Sequence, residues 1–224
     1  MRAGTLVIVF ARAPQPGRVK TRLVPRLGEW GAARLHRRFV WRTLRVAQSA
    51  RCGLVELHGI PRARRQGFFE LCARARRVGL RAQRGRDLGE RMFSAIADGL
   101  RRHRAVILIG SDCPALERRD LRRAARALAG GCDAVLAPAE DGGYPLIGLR
   151  RASRRLFADI AWGGADVYAR TAARLEELGW RWRALRTLWD VDRPEDLARL
   201  DAVALRRRFT CARETAAKRA TCRR

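Results

Sequence analysis

Asp112 is the residue whose type and setting most suggest chemistry. It follows Val106-Ile107-Leu108-Ile109-Gly110-Ser111 and precedes Cys113-Pro114. A short, wholly apolar run that stops at a glycine reads as a buried strand, and in an open α/β sheet ligands gather outside the carboxyl ends of the strands. A carboxylate there is well sited to hold a hard cation beside a nucleotide diphosphate. Its competing role is to cap the helix that follows, since Asp is a favoured N-cap.

Other residues of chemical type recur at similar places. Thr5 to Phe10 reads as a first strand, and the stretch after it, Ala11 to Arg22, holds Pro14, Pro16 and Gly17, which forbid regular structure, with Arg12, Arg18, Lys20 and Arg22 among them. A loop stiffened in this way brings backbone N–H groups and fixed cations to a polyphosphate at little entropic cost; the spacing is not that of a Walker A loop. Gln83, beside Gly85 and Gly89, could turn its amide to a flat base, while Asp87 there reads equally as a helix cap. Asp141, ahead of Gly142-Gly143, is either a turn residue or a carboxylate held against a substrate. Pro194, Glu195 and Asp196 mark a helix start. That start leaves one of Asp190 and Asp192 as a cap and the other without a structural role.

These residues need a scaffold, and the rest of the chain supplies one. Helical periodicity or composition marks segments 29–48, 65–78, 88–103, 116–129 and 165–178, and strands are expected at 53–58, 80–83, 106–109, 133–137, 145–149 and 182–189. Alternating strands and helices predict a three-layer αβα sandwich with a mostly parallel central sheet. Lys20, Arg22, Gln83, Asp112, Asp141 and Asp192 each fall just after a predicted strand, so a doubly wound sheet brings them to one edge. The expected organisation is a single domain over residues 1–201 and a basic tail, helical or disordered, over 202–224.

The composition narrows the function. Of 224 residues, 47% are hydrophobic and the formal net charge is +27. No apolar run is long enough to span a membrane. Six cysteines (52, 72, 113, 132, 211 and 222) form no C-x-x-C pair, which argues against zinc and for free thiols in a cytoplasmic protein. The charge invites a nucleic-acid reading. However, only Lys20 and Lys218 are lysines, and the arginines are spread over every predicted helix, so non-specific association is what the charge predicts.

Taken together, the motifs F-A-R-A-P-Q-P-G-R-V-K-T-R-L (10–23), D-L-G-E-R-M (87–92), G-S-D-C-P-A-L (110–116), P-A-E-D-G-G-Y (138–144), W-G-G-A-D-V (162–167) and D-V-D-R-P-E-D-L (190–197) resemble a small bacterial branch of the glycosyltransferase-A fold. This branch lies within the nucleotide-diphospho-sugar transferase superfamily; its members are called glycosyltransferase-like, and some are assigned to arsenosugar biosynthesis. The resemblance implies transfer of a sugar from a nucleoside diphosphate sugar to a small acceptor. Its alternative is nucleotidyl transfer from an NTP with release of pyrophosphate. It further implies Mg²⁺ or Mn²⁺ on Asp112 and Asp192, phosphate contacts from Arg12, Lys20 and Arg22 with Gly17 letting the loop wrap, Gln83 and Gly89 near the base or ribose, and Asp141 facing the sugar or acceptor. Two residues depart from the pattern: Arg12, where relatives commonly have Lys, and Arg193, where they often have Thr and which sets a cation beside Asp192.

Overall fold

A computed structural model of the chain describes residues 3–60 and 67–200. The expected tail at 202–224, the break at Pro61 and the first two residues of the helix expected from 65 lie outside these residues.

Seven strands form one sheet: β1 (Ala3–Arg12), β2 (Gly53–Ile60), β3 (Gly79–Ala82), β4 (His103–Gly110), β5 (Ala134–Ala137), β6 (Leu146–Leu149) and β7 (Trp182–Ala184). Their spatial order is β3-β2-β1-β4-β6-β5-β7. Every pairing is parallel except those of β6, which runs antiparallel to both β4 and β5. Among the described residues five α-helices connect them: α1 (Val24–Ala50), α2 (Gly67–Arg76), α3 (Leu88–Arg102), α4 (Arg118–Ala129) and α5 (Val167–Glu177).

The strands are apolar on both sides because the sheet is covered on both sides. Val7, Val9, Ile107 and Ile109 pack with Val40 and Leu44 of α1, Phe69 of α2 and Leu121 and Leu128 of α4. The alternate residues Leu6, Ile8, Val106 and Leu108 pack with Met92 and Ile96 of α3 and Leu175 of α5. This is the expected αβα sandwich. Ile107 and Ile109 are fully buried, so truncating either to Ala costs about 2–5 kcal/mol.

Several element bounds differ from the sequence reading, three of them for a plain local reason. The first helix begins before residue 29, in a short turn from Val24, and breaks at Gly28, whose positive φ of 68° only glycine adopts without strain. The fourth helix starts at Arg118 because Glu117 and Asp120 close a reciprocal capping box, so Asp112 is not its cap. The last strand keeps only Trp182–Ala184 of the expected 182–189. After it the chain holds β5 and its extension by single bonds, Leu185 N–H to Leu136 O and Leu188 N–H to Pro138 O. Between those two bonds Arg186 turns inward to grip the buried Asp120 with two nitrogens.

Candidate functional site

The parallel arrangement places the ends of β1 and β4 side by side, with Phe10 opposite Gly110. Asp112 emerges there, and its position is fixed from two directions. From α1, buried His36 sets Nδ1 3.1 Å from Asp112 Oδ1 and donates from Nε2 to the Arg12 carbonyl at 3.0 Å. Nε2 carries a proton, because a carbonyl can only accept. Two turns further along the same helix, Thr43 bonds to the Ser111 carbonyl and Arg42 to the Leu116 carbonyl. From the loop after β1, the Lys20 ammonium lies 3.4 Å from the same Oδ1. Burial alone would raise the Asp112 pKa, but the His36 hydrogen bond and the Lys20 charge hold it well below the usual carboxylate range. Asp112 Oδ2 takes no part in these contacts, and the side chain is about half exposed at 48%.

Lys20 is the hub on the basic side. It sits in the left-handed region at φ 50°, a costly conformation for a side chain of this size. It is buried, and it donates to the Val191 carbonyl at 2.6 Å. Its ammonium is also 3.9 Å from Asp192, whose other oxygen pairs with Arg22. Asp192 therefore reaches the site already carrying a guanidinium. Asp196, at the start of the helical turn, reaches back to accept from the backbone N–H groups of Asp192 and Arg193 and so fixes the chain entering that turn. Arg12 is exposed at the end of β1, and Gly17 takes a positive φ of 70° in the turn that leads to Lys20.

On the other side of Asp112 lies a cavity of about 290 Å³. Leu88, Met92, Tyr144, Pro145, Trp162 and Val167 give it an apolar wall, and Asp112, Asp141 and Asp190 give it acid. Two loops build the wall, and glycines let them meet. Gly142, at φ +85°, lies so close to the Ala165 carbonyl that a Cβ would stand 1.9 Å from it, and its own carbonyl accepts from Tyr168 N–H. Gly89, in the first turn of α3, lies against the Trp162 indole, where a Cβ would come within 2.8 Å of Nε1. Asp141 does what a turn residue does, accepting from Gly143 N–H, and its carboxylate also faces the cavity. Burial, together with Asp141 and Asp192 nearby, pushes Asp190 up to about 6 against the pull of Lys20.

The remaining expected site residue, Gln83, stands at the end of β3. Its amide donates to the carbonyls of Ala11 and His58, bracing the ends of β1 and β2, and Oε1 takes no part in those bonds. Asp87 caps α3 by accepting from Glu90 N–H. The structure thus groups Lys20, Arg22, Asp112 and Asp192, sets Asp141 across the cavity, and holds Gln83 apart at the β1–β3 side. His36 was not singled out in the sequence, and Asp190 entered only as one of two acids where one cap was needed. The signal for His36 was a polar residue within the buried stripe Ala32, Ala33, Phe39, Val40 and Leu44 of α1.

Among the described residues no group of three or more His, Cys, Asp or Glu forms a ready-made metal cage. An all-oxygen set in which Asp112 Oδ2 is uncommitted and Asp190 lacks a cation of its own still suits a hard divalent ion. Such an ion is commonly held by one or two carboxylates and completed by substrate phosphate. Cys72 and Cys113 are pushed up by burial to about 11 and about 12, so neither offers a thiolate.

Residues 43–164 match the model of a family described as uncharacterized protein conserved in bacteria (DUF2064). The chain belongs to that family. Among solved structures, a protein assigned as a nucleotide-diphospho-sugar transferase from Desulfovibrio desulfuricans G20 is 32% identical over 85% of this chain and 83% of its own, with a TM-score of 0.78. CMP:2-keto-3-deoxy-manno-octonic acid synthetase complexed with CTP shares the fold at 12% identity, over 92% of this chain and all of its own, with a TM-score of 0.58. Rv0371c of Mycobacterium tuberculosis H37Rv, in complex with manganese, does so at 20% identity, over 89% and 98%, with a TM-score of 0.50. No curated protein sequence matches. The fold is that of the nucleotide-diphospho-sugar transferases, and the likeness to the Desulfovibrio protein makes the chain a transferase of that fold. No helix among the described residues is long and apolar enough to cross a membrane.

Proposed function

We propose that this protein transfers a sugar from a nucleoside diphosphate sugar to a small acceptor at the Asp112 site, with Mg²⁺ or Mn²⁺ as cofactor. The observation that carries this reading is the division of the site about Asp112. Lys20 and Arg22 gather at Asp112 and Asp192, where a diphosphate would lie, with Arg12 exposed at the end of β1. An apolar cavity with two further carboxylates stands on the other side of Asp112, where a sugar and its acceptor would meet.

In this mechanism Asp112, with Asp190, would hold the cation; Asp192 could join only by releasing Arg22. The bound cation would supply Lewis-acid stabilisation of the diphosphate as it leaves. Arg22 and Arg12 bind and orient the phosphates, and Lys20 keeps the loop against the 189–192 segment. This is fixed charge aimed at charge that develops in the transition state. His36 holds the Asp112 carboxylate ionised and aimed. Asp141, which lines the cavity and is left free of the cation, takes the acceptor's proton.

A second reading, nucleotidyl transfer, uses the same loop and cation with the bond broken at the α-phosphate; the CTP-bound synthetase of the same fold favours it. Thermal stability measured against nucleotides and nucleotide sugars, with Mg²⁺, Mn²⁺ or EDTA, tests both. A ligand at about 100 Kd adds about 2.7 kcal/mol. Metal-dependent stabilisation by a nucleotide sugar, with nucleoside diphosphate as the released product, is the expected result. Stabilisation by an NTP alone, with pyrophosphate released, selects the second reading.

A further inference from the structure

From the charge of the cavity beside Asp112 we infer that its acceptor is neutral or positively charged, a hydroxyl- or amine-bearing molecule with an apolar face, and that phosphate esters are refused. The inference rests on the transferase reading of that site and names the class of molecule that reading leaves open.

The observation is a contrast within the molecule. Basic residues number 49 of 224, so a surface of this protein is arginine-bearing by default. A second cavity, about 580 Å³ between α4 and β7, follows that default: four of its nine lining residues are Arg123, Arg126, Arg183 and Arg186. The cavity beside Asp112 is lined by fifteen described residues. Three are aspartates and none is Arg, Lys or His. Lys20, 3.4 Å from Asp112, is not among them and spends a donor on the Val191 carbonyl.

The consequence follows from desolvation. A phosphate monoester entering an apolar pocket must exchange its hydration for donors. Here it would meet carboxylates, and like charges at short range in a cavity of low polarity repel strongly. Even with a divalent cation shared by Asp112 and Asp190, the cavity retains the charge of Asp141, and the cation's open positions are needed by the donor diphosphate. A hydroxyl or ammonium group finds acceptors in Asp141 and Asp190. An apolar face finds Trp162 and Tyr144, whose rings meet edge to face with centroids 6.5 Å apart.

Trp162 also makes the test possible, because it reports on the cavity directly. Its emission is taken as the difference between the wild type and Trp162→Phe. Quenching by caesium is compared with quenching by iodide at fixed ionic strength, which screens the distant arginines. The expected result is that caesium quenches Trp162 several-fold better than iodide, whereas the remaining tryptophans, exposed Trp30 among them, favour iodide. In Asp141→Asn/Asp190→Asn the caesium preference falls. Glycerol and glucosamine protect Trp162 from caesium better than glycerol phosphate and glucosamine phosphate. Iodide quenching Trp162 as well as caesium does, or the phosphate esters protecting better, overturns the inference. If nucleotide-sugar binding persists while iodide wins, only the acceptor class falls. If caesium wins and no nucleotide binds, the transferase reading falls and the charge preference of the cavity stands.

Discussion

Two groups of carboxylates in this molecule are treated in opposite ways. Glu56, buried in β2, is enclosed by partners: His58 and Arg81 each approach within 3.0 Å, Arg102 does the same from α3, and Asp98 shares Arg81 and Arg102. Burial opposes its ionisation, but the bonds from His58 and Arg102 and the charge of Arg81 win, and its pKa falls from 4.5 to about 2. Asp190, half-buried at the cavity, has carboxylates for neighbours and is pushed up to about 6. A chain so rich in arginine had cations to spare for both. Glu56 is paired in the service of the fold; Asp190, left without a cation of its own at a cost, stands where a ligand or cation is expected.

The comparison can be broken in order of expected effect. Asp112→Ala removes the anchor of the cation and should lower kcat by roughly 10²–10³; steady-state kinetics with the identified donor measures it, and a loss of less than a few-fold would contradict the assignment. Glu56→Gln leaves Arg81 and Arg102 only Asp98 as a charge partner, and should cost about 2 kcal/mol in denaturant unfolding while leaving nucleotide binding intact. Gly142→Ala forces a Cβ onto the Ala165 carbonyl at a positive φ, so the two cavity loops part; the expected cost is about 2 kcal/mol in stability with an accompanying rise in acceptor KM. Asp190→Asn goes the other way. It relieves the crowding of carboxylates and should stabilise the metal-free protein at neutral pH by roughly 1 kcal/mol, after discounting for solvent screening, while activity drops.

Acid titration sharpens the contrast, because the two signs are opposite. Glu56 has a depressed folded pKa. Its contribution is present above about 4.5 and is lost as pH falls toward about 2. Asp190 has a raised folded pKa. Its folded form takes up a proton near 6 that the unfolded chain takes up only near 3.8, so stability increases as pH falls through that window. In metal-free protein the Asp190 contribution should therefore favour pH 5 over pH 7, against that of buried His103, whose lowered pKa acts with the opposite sign. Asp190→Asn should flatten that rise, and Glu56→Gln should remove the acid loss below about 4.5; thermal melts across pH in EDTA measure both.

The sheet was legible because strands covered on both faces write themselves as unbroken apolar runs, β1 and β4 above all. The helix starts were less so: α4 is placed by a side-chain exchange between Glu117 and Asp120, and the shortened β7 reflects where Arg186 must go to meet Asp120. Asp112, Lys20 and Asp141 could be suspected because strand ends are where an α/β sheet gathers ligands. His36 could not be found by that rule. It lies mid-helix, and its link to Asp112 exists only once α1 packs beside the end of β4. Asp190 stood out only as one of two acids where one cap was needed; it is Asp196 that fixes the chain entering that turn.

The bond from Lys20 to the Val191 carbonyl joins residues 171 positions apart. On a ribosome the β1 loop emerges early and waits for the 188–200 segment, almost the last described part of the chain. Long-range closures of this kind come late and slowly. A nascent chain stopped just after β7 would hold its sheet partners in place yet lack both Asp190 and the carbonyl that seats Lys20. Nucleotide affinity should therefore arise in one step once the 188–200 segment has been made, so a shorter nascent copy cannot compete with the folded site for its donor.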